Sequence, residues 1–455
     1  MMYASDDYSY LAHATSLAFF QFPSYEREHF TVGDKIPAHA IGPGIMAAPF
    51  VFIFSLVDRV KGSDIVDQRS PDNLKDSWAV FGFMVATVFY FLSALVLFYR
   101  GLRFFFSEST ASWSVILMIL AQGAPLFVFR RPVFSHIYTL FLGAALLFLL
   151  LKILINKDKP VRLREMLLAG VLGGMTILVR TDNVVFAMAW VMVFWLLSPG
   201  SKKYLSAMVL LLSVGMPVFI FKILPGTGQR WQTGIAYLLE SHEAVFYIKR
   251  LWHVLVGVDW GLIFTAPFLL AGMGAVGLIP RSWRGVFGLL AVSLLVNLFI
   301  VLQWETQGGW YGYRYLLFSA FPVFLVPFAF WVKSFCDGPN SRIAWVLFLL
   351  AVCPVLSMLF FEGNQMLTLA LIQQPFGREG WGNNQYQLQV WWTLLMRPME
   401  AVVVVAKGGV LYVATLLKVA PKGINVYNMP DTSLLIKVMI IYAMPFLFML
   451  RRNKA

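Results

Sequence analysis

The chain has 455 residues, of which 59% are hydrophobic and only 13% charged, and its mean hydropathy is +0.72. That composition excludes a soluble globular class and fits a polytopic membrane protein. The net charge of +13 does not indicate nucleic acid, because Lys and Arg fall in short clusters between apolar runs, the pattern of topogenic charge.

Residues 1–77 come first and contain the acidic pair Asp6-Asp7, a tyrosine-rich stretch, and the run "IGPGIMAAPFVFIFSLV". That run opens on two Gly and a Pro and is not counted as a crossing. Eleven runs have the roughly 17–25 residues that a membrane helix needs: 78–100, 112–129, 135–153, 164–179, 183–198, 204–223, 260–279, 285–302, 315–333, 342–361 and 433–450. The run 399–417 carries Glu400 and Lys407 and is expected to lie in the interface. Cys336 and Cys353 are the two cysteines, too few and too differently placed for a disulfide framework or a CxxC metal site. There is no internal repeat and no linker rich in Ser, Gly or Pro. The expected organisation is therefore one integral unit over 1–455. It comprises a first extracytoplasmic loop (1–77), a transmembrane bundle (78–361), a second long loop with an interfacial helix (362–432), and a last crossing with a basic tail (433–455).

Every second connection is basic: Arg100 and Arg103; Lys152, Lys157, Lys159, Arg162 and Arg164; Lys202 and Lys203; Arg281 and Arg284; Lys333 and Arg342; and the closing "RRNKA". The positive-inside rule makes these cytoplasmic. The remaining connections then face outward, as does residues 1–77. An odd number of crossings with the C-terminus inside puts Asp6 and Asp7 outside, and a further apolar helix ahead of Met1 is the expected means of carrying them across.

The outward connections hold the chemistry-bearing side chains, among them Asp6, Asp7, Tyr10, His13, Lys35, His39, Arg130, Arg131, His136, Arg180, Asp182, Trp310, Tyr313 and Arg314. Charges at the ends of membrane spans are costly unless they pair or line a watered cavity, so they are candidate functional groups. Structural readings stand beside the functional ones. Asp6 also suits a helix N-cap, Arg130 and Arg131 suit anchoring at lipid head groups, His136 opens a span where it can satisfy a backbone group, and Arg180 can pair with Asp182.

An extracytoplasmic D-[DE]-x-x-Y (Asp6-Asp7-Tyr8-Ser9-Tyr10), an amphipathic segment, the Gly/Pro-rich "AIGPGIMAAPF" and a polytopic body together resemble the GT-C glycosyltransferases that use polyprenyl-phosphate sugars. The group most resembled is the bacterial one similar to protein O-mannosyltransferases and lipid A aminoarabinose transferases. "RRPVFSHIYTLFL", "GGMTILVRTDNVVF", "GVDWGLIFTAPFLL" and "GGWYGYRYLL" continue the likeness in order across most of residues 5–320. The chain departs from the pattern in having no helix before the acidic pair, and in Thr181 where Pro is common.

The resemblance implies a GT-C-like bundle with amphipathic juxtamembrane helices in the first outward loop, and inverting transfer of a sugar from a polyprenyl-phosphate donor to a glycan, lipid or protein acceptor. It implies Asp6 as the catalytic base, with Asp7 orienting the loop or helping to bind a divalent cation, Mg or Mn. Arg314 would hold the donor phosphate with Arg130, Arg131, Lys35 and His39 in support, since Arg can grip two oxygens at once. Tyr10, His136 and Arg180 would contact substrate, and the sugar would stack on Trp310 or Tyr313. The rival reading is a lipid-linked-sugar flippase or other transporter, which polytopic architecture also fits. Transporters commonly carry paired repeats and mid-membrane charges, whereas here the charges collect on one face.

Overall fold

The computed structural model describes residues 5–25, 37, 39–62, 77–120, 122, 124–129, 134–156, 160–198, 200, 203–223, 243–256, 261–302 and 314–336, together with 396 and 399. These residues form helices and turns, with no strand among them. In chain order the helices are α1 (Ser5–Ala18), α2 (Gly42–Val60), α3 (Trp78–Leu102), α4 (Glu108–Val115), α5 (Ala124–Phe129), α6 (His136–Ile155), α7 (Leu163–Val179) and α8 (Val184–Leu196). They continue with α9 (Lys203–Val218), α10 (Ala244–Val256), α11 (Leu262–Thr265), α12 (Pro267–Gly274), α13 (Arg281–Leu302) and α14 (Arg314–Cys336).

Among the described residues six helices are long and apolar enough to cross a membrane: Gly42–Val60, Trp78–Leu102, His136–Ile155, Lys203–Phe221, Arg281–Ile300 and Leu316–Ser334. The described part of the protein is thus all-helical, with several apolar helices of membrane-spanning length. The first of these, left uncounted from sequence because its run opens on two Gly and a Pro, forms a continuous helix with the length and hydropathy of a span. Pro43 lies in the first turn of α2, where a missing N–H leaves no helical hydrogen bond unmade. The runs 342–361, 399–417 and 433–450 and the loop 362–432 lie outside the described residues.

Two runs read as single spans prove to be interrupted. The run 112–129 passes from α4 into a π-helical turn, Ile116–Leu120, before α5. The run 260–279 breaks at Ala266, which has φ −148° and ψ 53°, ahead of Pro267. A broken helix inside apolar surroundings must find partners for its freed backbone groups; the Leu269 N–H donates to the Ala266 carbonyl at 3.0 Å, and Gln122 adds a link between the two segments. Its amide nitrogen donates to the Met118 carbonyl at 2.7 Å, and its Oε1 accepts from the Leu269 N–H at 2.9 Å.

The helices pack through small residues, as expected where lipid removes most of the hydrophobic drive between helices and close van der Waals contact takes its place. Gly82 of α3 faces the Phe50 carbonyl of α2, Gly143 of α6 faces Pro322 of α14, and Gly272 of α12 faces the Phe324 carbonyl. The main apolar core joins α3 to α14, while a second, smaller one fastens α1 and α2 to α3, α6 and α7 through Tyr10, Leu11, Ala14, Met46, Val51, Phe83, Tyr138 and Val179.

Candidate functional site

α3 and α6 run parallel, since Phe83 meets Tyr138, Tyr90 meets Phe141, and Gly101 lies against Phe148 and Leu151. Tyr90 is twelve residues into α3 from Trp78, and Phe141 is five residues into α6 from His136. At about 1.5 Å per residue, the start of α3 stands roughly 10 Å beyond the start of α6. α2 lies antiparallel along this projecting part, pairing Phe54 with Phe81 and Asp58 with the first turn of α3. The first turn of α6 is therefore recessed behind a wall made by α2 and α3.

In that recess stands a connected set of polar side chains. Ser135 is the N-cap residue of α6, a position where a serine hydroxyl commonly accepts from the helix's own N–H groups. Here it makes no such bond. Its oxygen instead accepts from the Tyr10 hydroxyl of α1 at 3.3 Å and from Arg180 Nη1 at 3.4 Å. Arg180, in extended backbone between α7 and the 3-10 turn Thr181–Asn183, clamps Asp182 with Nε at 3.1 Å and Nη2 at 2.7 Å. The side chains of this pair are only 12% and 5% exposed. Arg180 Nη1 also reaches His136 Nδ1 at 3.3 Å. The same guanidinium nitrogen lies 3.5 Å from His136 Nε2, so both ring nitrogens are within its reach. The imidazole is stacked on Phe318 and edged by Phe127 and Phe134.

One turn deeper, Asn183 ties three helices. Its Nδ2 donates to Thr139 of α6 at 3.4 Å, and its Oδ1 accepts from Ser319 of α14 at 3.0 Å. Above the recess a second link holds the chain after α1. His39 Nδ1 is 2.8 Å from the Ser9 hydroxyl, and its ring stands edge-on to Tyr10. His13 is fully buried. Its Nε2 lies 3.0 Å from the His39 carbonyl, which can only accept, so Nε2 carries the proton and, in the neutral ring, Nδ1 accepts from the Tyr25 hydroxyl at 2.8 Å.

The structure thus brings together six of the residues named from sequence, Tyr10, His13, His39, His136, Arg180 and Asp182, and adds Ser9, Tyr25, Ser135, Asn183 and Ser319. Ser135 and Asn183 had a signal, since each stands within a quoted motif, "FSH" and "RTDN". Ser319 had none. Asp6 and Asp7 lie in the first turn of α1, four and three residues before Tyr10, and their side chains are outside the described set. The same holds for the Arg314 side chain at the start of α14. Lys35, Arg130, Arg131, Trp310 and Tyr313 are outside the described residues altogether. Among the described residues no group of three or more His, Cys, Asp or Glu converges to hold a metal ion.

Compared with family models, with curated proteins and with solved structures, the chain matches none.

Proposed function

We propose that this chain is a membrane-embedded glycosyltransferase of GT-C type. It would move a sugar from a polyprenyl-phosphate donor to a hydroxyl of a glycan, lipid or protein at the extracytoplasmic face, in a bundle of about eleven crossings. The observation that carries this reading is the attachment of α1, whose first turn bears Asp6 and Asp7, through Tyr10 to Ser135, which Arg180 links to His136 at the recessed helix ends.

In this reading the Asp6 carboxylate takes the proton from the acceptor hydroxyl. The hydroxyl oxygen attacks the anomeric carbon opposite the phosphate. The carbon–oxygen bond to phosphate breaks, and polyprenyl phosphate leaves with the electron pair. Arg314, helped by Arg130, Arg131, Lys35 and His39, balances the charge on the departing phosphate. Asp7 orients the loop. Trp310 or Tyr313 offers a ring face to the sugar. Mg or Mn held at Asp6 and Asp7 would supply further positive charge.

The test is transfer by the full protein in vesicles, using a panel of radiolabelled polyprenyl-phosphate sugars and membrane extract as acceptor. Label should pass from donor to extract with the wild type and fail to do so with Asp6→Asn, while donor binding persists. No transfer from any member of the panel would remove the enzyme reading.

One observation favours the rival, a lipid-linked-sugar flippase. The two interrupted helical runs are joined through Gln122 and Leu269, and paired interruptions are a transporter feature. Acceptor-independent translocation of a fluorescent lipid-linked sugar across vesicles would select that reading.

A further inference from the structure

We propose that α10 is a membrane anchor at the head-group level, seated in lipid along a stripe formed by Val245, Ile248, Leu251 and Trp252. The segment 224–259 reads from sequence as a connection between spans, and the inference stands whether or not the chain is a glycosyltransferase.

One face of α10 is committed to the protein. Tyr247 stacks on Phe299 of α13 with centroids 5.0 Å apart, Val254 is buried, and Arg250 donates through Nη1 to the Leu302 carbonyl at 2.7 Å. That carbonyl belongs to the last residue of α13, whose stretch Arg281–Ile300 has membrane-spanning length and hydropathy. The contact therefore fixes the height of α10 at one end of a crossing helix. It is the end from which the chain passes to the start of α14, where Ser319 bonds Asn183 of the polar recess.

The other face is apolar and uncovered among the described residues. Val245 is 53% exposed, Ile248 65%, Leu251 39% and Trp252 67%. Positions 245, 248 and 252 follow the i, i+3, i+7 spacing of one helix face. Lys249, also exposed, borders the stripe. This is the composition of a helix lying at the boundary between head groups and acyl chains, with Trp at the interface and a Lys stem reaching toward phosphate. The stripe also continues a surface of the same kind: on α13 the residues Val292, Leu295, Val296 and Phe299 are exposed and lead along the span to the seat of α10. That continuity selects lipid over water, a partner protein or another segment of this chain as the occupant.

The experiment uses the full chain in phosphatidylcholine vesicles, with Cys336→Ser and Cys353→Ser removing both native thiols. Single Val245→Cys, Ile248→Cys, Lys249→Cys and Trp252→Cys variants each receive a nitroxide, and collision with oxygen is compared with collision with a water-soluble nickel chelate. At 245, 248 and 252 oxygen should exceed the chelate several-fold, and at 249 the preference should reverse. Chelate access at all four positions, as in an aqueous loop, would overturn the proposal. So would immobilised labels shielded from both reagents at 245, 248 and 252, which would mean that protein covers the stripe.

Discussion

Gly44→Ala tests whether the seating of α1 on α2 places the acidic end of α1 productively. A Cβ added at Gly44 would strike the His13 side chain and come within 2.9 Å of the Ala14 nitrogen. Non-bonded carbon atoms rest at about 3.5–4.0 Å, so α1 and α2 must part by about 1 Å. His13 has little room to yield, being fully buried and held through Tyr25 and the His39 carbonyl. The movement passes to α1 and stretches the 3.3 Å bond from Tyr10 to Ser135 beyond useful length. Overpacking of this kind costs about 1–3 kcal/mol, and a displacement of about 1 Å in a reacting group lowers turnover by about 100-fold. Thermal unfolding in detergent and sugar transfer in vesicles would be measured side by side. Gly215→Ala is the control: no atom lies within 4 Å of its added Cβ, and Ala is favoured over Gly in a helix interior by about 1 kcal/mol, so it should match or exceed wild type in both assays. Wild-type stability together with wild-type transfer in Gly44→Ala would refute the idea that this contact positions α1.

Asp58 caps a neighbouring helix, accepting from the Trp78 and Ala79 N–H groups at 3.0 and 2.9 Å while itself buried. Asp58→Ala should cost about 1–3 kcal/mol in detergent unfolding, with Asp58→Asn closer to wild type because one acceptor oxygen is kept; equal stability of all three would deny the cap. Asp182→Ala leaves the Arg180 guanidinium with less compensation in a mostly buried place and should cost about 3–5 kcal/mol, whereas Arg180→Met with Asp182→Leu should lose much less. The two sets of melts decide between a pair that is needed and a charge that must not be left alone. Asp6→Asn should lower transfer by about 100-fold or more with donor binding unchanged; if Asp6 only caps α1, Asn serves equally well and activity survives. An impermeant thiol reagent should label Ser5→Cys and Thr306→Cys in intact cells, since basic residues gather on the opposite connections; protection of both would reverse the sidedness and leave the donor on the wrong side for Asp6.

The class of the fold was legible because it depends on a sum over many residues: apolar runs of span length are visible in any window average. What such an average misses is a local break that a distant side chain bridges. Nothing within "ILMILAQGAPLFVF" reports that Gln122 will serve the Leu269 N–H 147 residues away, so the run reads as one helix and folds as several. Gly42–Val60 fails in the opposite direction. Its glycines look like breakers, yet Gly42 faces the backbone of Leu178 and Val179, and Gly44 faces His13. The missing side chains are there to let helices touch, a use that composition alone does not distinguish from a break.

The polar recess was half legible for a related reason. An ionisable residue at a span end announces its cost in lipid, and Arg180 and His136 are legible from sequence for that reason. A serine or an asparagine makes no such announcement, since as a helix cap it needs no explanation. Ser135 and Asn183 stand at cap positions and yet spend their side chains between helices, Ser135 on Tyr10 and Arg180, Asn183 on Thr139 and Ser319. Giving up local caps in order to join α1, α6, α14 and the turn before α8 makes sense if the relative placement of those four elements matters more than the ending of any one helix. The part of the chain that gains most from that placement is the first turn of α1, where Asp6 and Asp7 precede Tyr10 by four and three residues.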